Sequence, residues 1–159
     1  MAAFLLSVHV IAAILTIGPI AVAASLFPRY ARQAAPTGGA EPDERAAGVA
    51  ALLHRICRGY AVVGITVPVF GLATGAQLGV LTDAWLLVSI LLTAVAAGIL
   101  ALAILPHQQR MLAPPEEAAE SDALRRGAAR LSGLTGAFNL LWAIVVVLMI
   151  VRPGSTTGV

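Results

Sequence analysis

Lysine is missing from this chain, cysteine occurs once, and charge of either sign is scarce. All 10 basic residues among the 159 are arginines, and acids number 8. Charged side chains make up 11% of the chain, against about a quarter in an ordinary soluble domain. The single cysteine, Cys57, excludes an internal disulfide and an all-cysteine metal cage. A net charge of +2, with the arginines at the ends of apolar runs, leaves no basic face for nucleic acid. There is no Walker or Rossmann glycine loop, no H-E-x-x-H and no nucleophile–base pair. A soluble-type enzyme has no foothold here.

What the chain has in abundance is apolar residues, at 59% with a mean hydropathy of +0.91. A membrane-crossing helix needs about 20 mostly apolar residues. Four runs meet that length, at 3–27, 60–80, 84–105 and 131–151. The first closes at Pro28, the third at Pro106 and the fourth at Arg-Pro-Gly. The expected fold is all-α, an antiparallel four-helix transmembrane bundle forming a single domain over 1–159. Two short cytoplasmic interfacial helices are expected at "ERAAGVAALLHR" and "ESDALRRGAARL", whose acids precede their arginines as the helix dipole favours. "APTGGAEPDE" and "APPEEAAESD" read as surface loops.

Arginine placement predicts the orientation. Loop 28–59 holds Arg29, Arg32, Arg45, Arg55 and Arg58, and loop 106–130 holds Arg110, Arg125, Arg126 and Arg130. The link "LTDA" carries only Asp83. Both basic loops are therefore expected in the cytoplasm of a bacterium and both termini outside its plasma membrane, with Arg152 alone against the trend. "AVAAS" offers a small-residue cleavage pattern, but no basic segment precedes the first run, which reads as a retained span. The alanine–arginine bias without lysine suits a high-GC bacterial source.

Lipid supplies little hydrophobic drive between helices, so close backbone approach must bring them together. "GLATGAQLG" spaces Gly71, Gly75 and Gly79 by four, a glycine zipper that extends back through Pro68 and Gly64. Pro68 is expected to kink the second span. The stripe packs inside this bundle or meets a second copy or a partner. Small residues also recur on the other helices, as Ser132-x-x-x-Gly136 and Gly133-x-x-x-Ala137 on the fourth.

No acid or arginine lies inside a span, which weighs against pumps and proton-coupled carriers. "SVHVIAAILTIGP" places His9 about 9 Å below the outer end of its helix at the usual helical rise. Thr74 is expected at a similar depth, with Ser89 and Gln77 in the same half and Asp83 above. His9 then fastens helices through a threonine or serine, ligates a b-type haem, or touches a quinone. His54 and His107 belong near the cytoplasmic side, where they could meet as a ligand pair, each a weak metal candidate. "HRIC" sets His54 and Cys57 at i, i+3, weak metal candidates with nothing nearby to complete a zinc set. Trp85 and Tyr60 suit the two interfacial belts, and Trp142 lies deeper, one turn from Asn139.

The ends of the chain, "LLSVHVIAAILTIGPIAVAA" and "LLWAIVVVLMIVRPG", resemble an uncharacterised family of four-helix bacterial integral membrane proteins. His9 and Gly18 match its early histidine and following glycine, and Met149, Arg152, Pro153 and Gly154 match its closing pattern. "PVFGLATGAQLG" is similar to its second helix. More distantly, the layout resembles copper-resistance-type and b-haem four-helix membrane proteins, which use helix histidines as ligands; here His9 has no second histidine at its depth. The leading expectation is a non-enzymatic subunit, partnered by the bilayer and by itself or a larger, respiratory-type membrane complex. No cofactor is required by that reading. A haem b or quinone protein using His9 is the alternative, and a small transporter or channel a weaker one.

Overall fold

The computed structural model describes residues 1–35, 41–113 and 120–154. Its helices are α1 (Ala2–Ala34), α2 (Glu44–Val63), α3 (Thr66–Leu78), α4 (Ala84–Gly98), α5 (Leu105–Met111) and α6 (Glu120–Val151), with a π-helical segment at Ile99–Ile104. No strand occurs among the described residues. α2 runs into α3, and α4 runs through the π segment into α5. Among the described residues, four helical stretches are thus long and apolar enough to cross a membrane, at Ala2–Ala34, Glu44–Leu78, Ala84–Met111 and Ala123–Val151. The chain is an all-α, multi-pass membrane bundle.

The helices overrun the boundaries that the prolines suggested. α1 continues through Pro19 and Pro28 to Ala34. A proline inside a helix costs one backbone hydrogen bond, but leaving the helix in an apolar medium would strand several more. Pro28 is itself buried beside Phe27 and Ala31. The two expected interfacial helices are the opening turns of α2 and α6 rather than separate elements. Asp43 starts α2, its carboxylate accepting from the backbone N–H of Arg45 and Ala46, both at 3.0 Å. The expected loops fall largely on 36–40 and 114–119, outside the described residues.

Two irregularities interrupt the long helices, each beside a proline. Pro68 offers no N–H to the carbonyl of Gly64, which instead accepts from Val67 at 3.1 Å. Thr66 Oγ1 donates to the Val63 carbonyl at 2.7 Å across the same break. The second irregularity is the π segment immediately before Pro106, a widened turn that accommodates the ring. Gly79 ends α3 in the left-handed region at φ 69°, a conformation open to glycine without penalty. Val80 then donates back to Gly75 at 3.1 Å and the chain reverses into α4.

α1 is the central helix, packed against α2, α3 and α6, while α4 packs on α6. α5 meets α2 at one end of the bundle, whereas α3 and α4 touch only sparsely. The distribution of side chains suits an apolar solvent. Thr16, Thr74, Ser89, Gln108 and Thr135 are buried, yet Leu102 is 80% and Val62 67% exposed. Aliphatic residues cover the outside because lipid chains receive them as readily as a core does.

Candidate functional site

At the end of the bundle formed by the start of α1 and the α3–α4 turn, His9 lies across α3. Its Nδ1 is 2.9 Å from the carbonyl oxygen of Val67. A carbonyl only accepts, so Nδ1 is the donor in this contact. The ring is seated by the absence of a side chain at position 71. A Cβ on Gly71 would stand 2.9 Å from His9 Cε1 and 3.2 Å from Nδ1. The histidine therefore bonds a backbone carbonyl, not the threonine or serine expected of it.

A small cavity of about 30 Å³ adjoins the imidazole, lined among others by His9, Thr74, Gly75, Trp85 and Arg152. Space of that order holds a water molecule. Thr74 is buried there, its hydroxyl donating to the Phe70 carbonyl at 2.7 Å. Ser89 lies one turn further along α4, fully buried and bonded to the Trp85 carbonyl at 2.8 Å, and does not line the cavity. Trp85 Nε1 donates to Asp83 at 3.0 Å, and the Arg152 guanidinium sits 5.5 Å from the centre of the Trp85 ring. Arg152 also bonds the Met149 carbonyl at 3.3 Å. Position 152 therefore belongs to this end through an aromatic face, a link that arginine counting does not reveal.

The other members of the glycine series have separate tasks. A Cβ on Gly64 would come 3.2 Å from Thr16 Cγ2, and one on Gly75 would meet methyl groups of Leu86 and Leu81 at 3.0 and 3.1 Å. Gly79 meets nothing and serves the turn. Pro68 lies on the lipid-facing side.

At the opposite end His54 and His107 each hold a different partner. His54 Nδ1 donates to Gln108 Oε1 at 3.0 Å. Gln108 Nε2 points to Cys57 Sγ at 3.7 Å, and Sγ to the Ile20 carbonyl at 4.0 Å. These polar contacts tie α5, α2 and α1 together in one direction of donation. His107 Nε2 donates to the Gly127 carbonyl at 3.1 Å on α6. No cluster of three histidine, cysteine or acidic side chains suited to a metal occurs among the described residues. Gln108, absent from the sequence-based candidates, is fully buried at the centre of this network. Its signal was the spacing Leu100, Ile104, Gln108, which forms one face only if the helix continues past Pro106.

On α6, Thr135 Oγ1, Asn139 Oδ1 and Trp142 Nε1 are buried atoms without a hydrogen-bond partner among the described residues. Asn139 Nδ2 reaches Ser25 Oγ of α1 at 3.3 Å on the outer surface. Compared with family models, curated proteins and solved structures, the chain matches none of them.

Proposed function

We propose that this chain is a non-enzymatic subunit of a bacterial plasma membrane, assembled through its lipid-facing surface with a second copy or a larger membrane complex. The observation that carries the reading is the outward face of α6. Gly133, Gly136 and Ala137 are exposed there, and a Cβ built on either glycine meets nothing within 4 Å. The same helix presents the Asn139–Ser25 pair toward the outside. A face of small residues admits another helix backbone, and amide groups bond across such contacts. The resemblance to four-helix bacterial integral membrane proteins supports only the bacterial membrane part of this reading. Light scattering in mild detergent tests this reading. Gly136→Leu is expected to convert an assembly to monomers with helical content unchanged. A chain that is monomeric before substitution and leaves native membranes unaccompanied would end it.

A b-type haem on His9 is the second reading, favoured by one observation. A ring whose Nδ1–H is held by a carbonyl presents Nε2 in the orientation of a ligating histidine. The adjoining space of about 30 Å³ takes a water and not a macrocycle, so the haem would lie on the outer surface or between two copies. Oxidised and dithionite-reduced spectra of the purified protein decide the matter. Sharpened reduced α and β bands that vanish in His9→Ala would establish it, and a featureless visible spectrum would remove it.

A further inference from the structure

A larger space lies midway along the bundle, where α2 breaks into α3 and α4 approaches the π segment. This cavity, of about 140 Å³, is bounded by all four spans, with walls that include Ile20, Gly64, Pro68, Phe138 and Trp142. Its origin is the break itself, which parts α3 from α4 on the side where Ile65, Pro68 and Ala97 are exposed. The cavity therefore opens toward the lipid.

Three features define what fits it. First, the volume is close to that of an engineered apolar cavity of about 150 Å³ that accepts benzene. Second, one wall is aromatic: the rings of Phe138 and Trp142 stand edge to face, their centres 6.3 Å apart at 67°. Such a wall favours a flat ring by offset or edge contact. Third, Thr93 is the one hydroxyl-bearing residue on an otherwise apolar lining. Ser7, Thr74, Ser89 and Ser132 each donate to a carbonyl one turn back. Thr93 has no hydrogen-bond partner among the described residues. A hydroxyl left unpaired in an apolar medium is costly, so an occupant bearing an acceptor is favoured over a plain hydrocarbon.

We propose that this cavity binds a single-ring quinone-type molecule from the bilayer. Its carbonyl accepts from the Thr93 hydroxyl, its ring lies against Trp142, and its apolar tail leaves between α3 and α4. The site is separate from His9 and independent of the chain's state of assembly.

The test uses the full chain in lipid nanodiscs with Trp85→Phe, leaving Trp142 as the sole indole. A decyl-substituted benzoquinone is titrated while Trp142 fluorescence is followed, with decylbenzene as a competitor that has the tail and ring but no carbonyl. Saturable quenching is expected. Thr93→Val, which keeps the side-chain shape, should raise the half-saturating concentration about five- to tenfold, as loss of one hydrogen bond implies. Ala97→Phe, placed at the lipid-facing mouth, should remove the saturable component. Quenching that rises linearly and equally in every variant would show simple partitioning and overturn the site. Equal competition by decylbenzene, with no effect of Thr93→Val, would make it a hydrocarbon slot and overturn the quinone assignment.

Discussion

At the scale of single residues, Gly71 and His9 form one unit. An alanine normally improves a helix by about 1 kcal/mol over glycine. At position 71 its Cβ would stand 2.9 Å from the imidazole. The ring can swing aside, but only by releasing the Val67 carbonyl. Interhelical hydrogen bonds in membranes contribute about 0.6 kcal/mol on average, up to about 1.7. The two effects nearly offset each other in the unmodified background. Once His9→Ala has removed the ring, only the helical gain remains. Gly71→Ala is thus expected to change stability by less than about 0.5 kcal/mol alone, yet to add about 1 kcal/mol in His9→Ala. Detergent unfolding followed by circular dichroism reads both steps, and an identical effect in the two backgrounds would show the pair uncoupled. Gly136, with open space around it, offers the contrast: alanine there meets no neighbour within 4 Å among the described residues.

At the scale of elements, the prolines separate what the sequence shows from what it conceals. Four apolar runs of membrane length were legible because hydrophobicity alone defines them. The ends were not, because Pro28 and Pro106 signal termination where water can satisfy the released backbone groups. In lipid those groups have no such alternative, so α1 continues to Ala34 and the third span to Met111. That continuation carries Gln108 under the bundle end, where it holds His54 and Cys57. The site was legible to a similar degree. His9 stood out as a polar residue in an apolar run, but its backbone partner could not be read, since Val67 offers only a carbonyl common to every residue. Gln108→Leu keeps most of the volume while removing both contacts. It should cost about 0.5–1.5 kcal/mol, by removing a hydrogen bond whose His54 donor is part-buried, and should loosen the α5–α2 junction. Hydrogen exchange at 105–111 is expected to rise while exchange in the middle of α1 stays unchanged. Uniform acceleration along the chain would instead mean that Gln108 supports the whole fold.

At the scale of the whole molecule, charge is divided between the two ends of the bundle. Arg29, Arg32, Arg45, Arg55, Arg58, Arg110, Arg125, Arg126 and Arg130 lie toward the end where α1 finishes and α6 begins. The other end carries Asp83 and the single Arg152, which rests on Trp85 and bonds the last turn of α6. A cation at a helix C-terminus is favoured by the dipole, so Arg152 has a local structural reason that explains its departure from the charge trend. On the positive-inside rule we propose that the arginine-rich end faces the cytoplasm and the His9 end the outside. Cys57 makes this simple to test, because it is fully buried and is expected to be silent toward a thiol reagent in the folded chain. A membrane-impermeant maleimide applied to intact cells should label Thr82→Cys, on the exposed link before α4, and spare Gln33→Cys near the end of α1. Arg152→Ala should leave that pattern unchanged, since nine arginines still outvote its loss. Labelling of Gln33→Cys in preference to Thr82→Cys would place the arginines outside and invert the assignment, and with it the side of the membrane that His9 approaches.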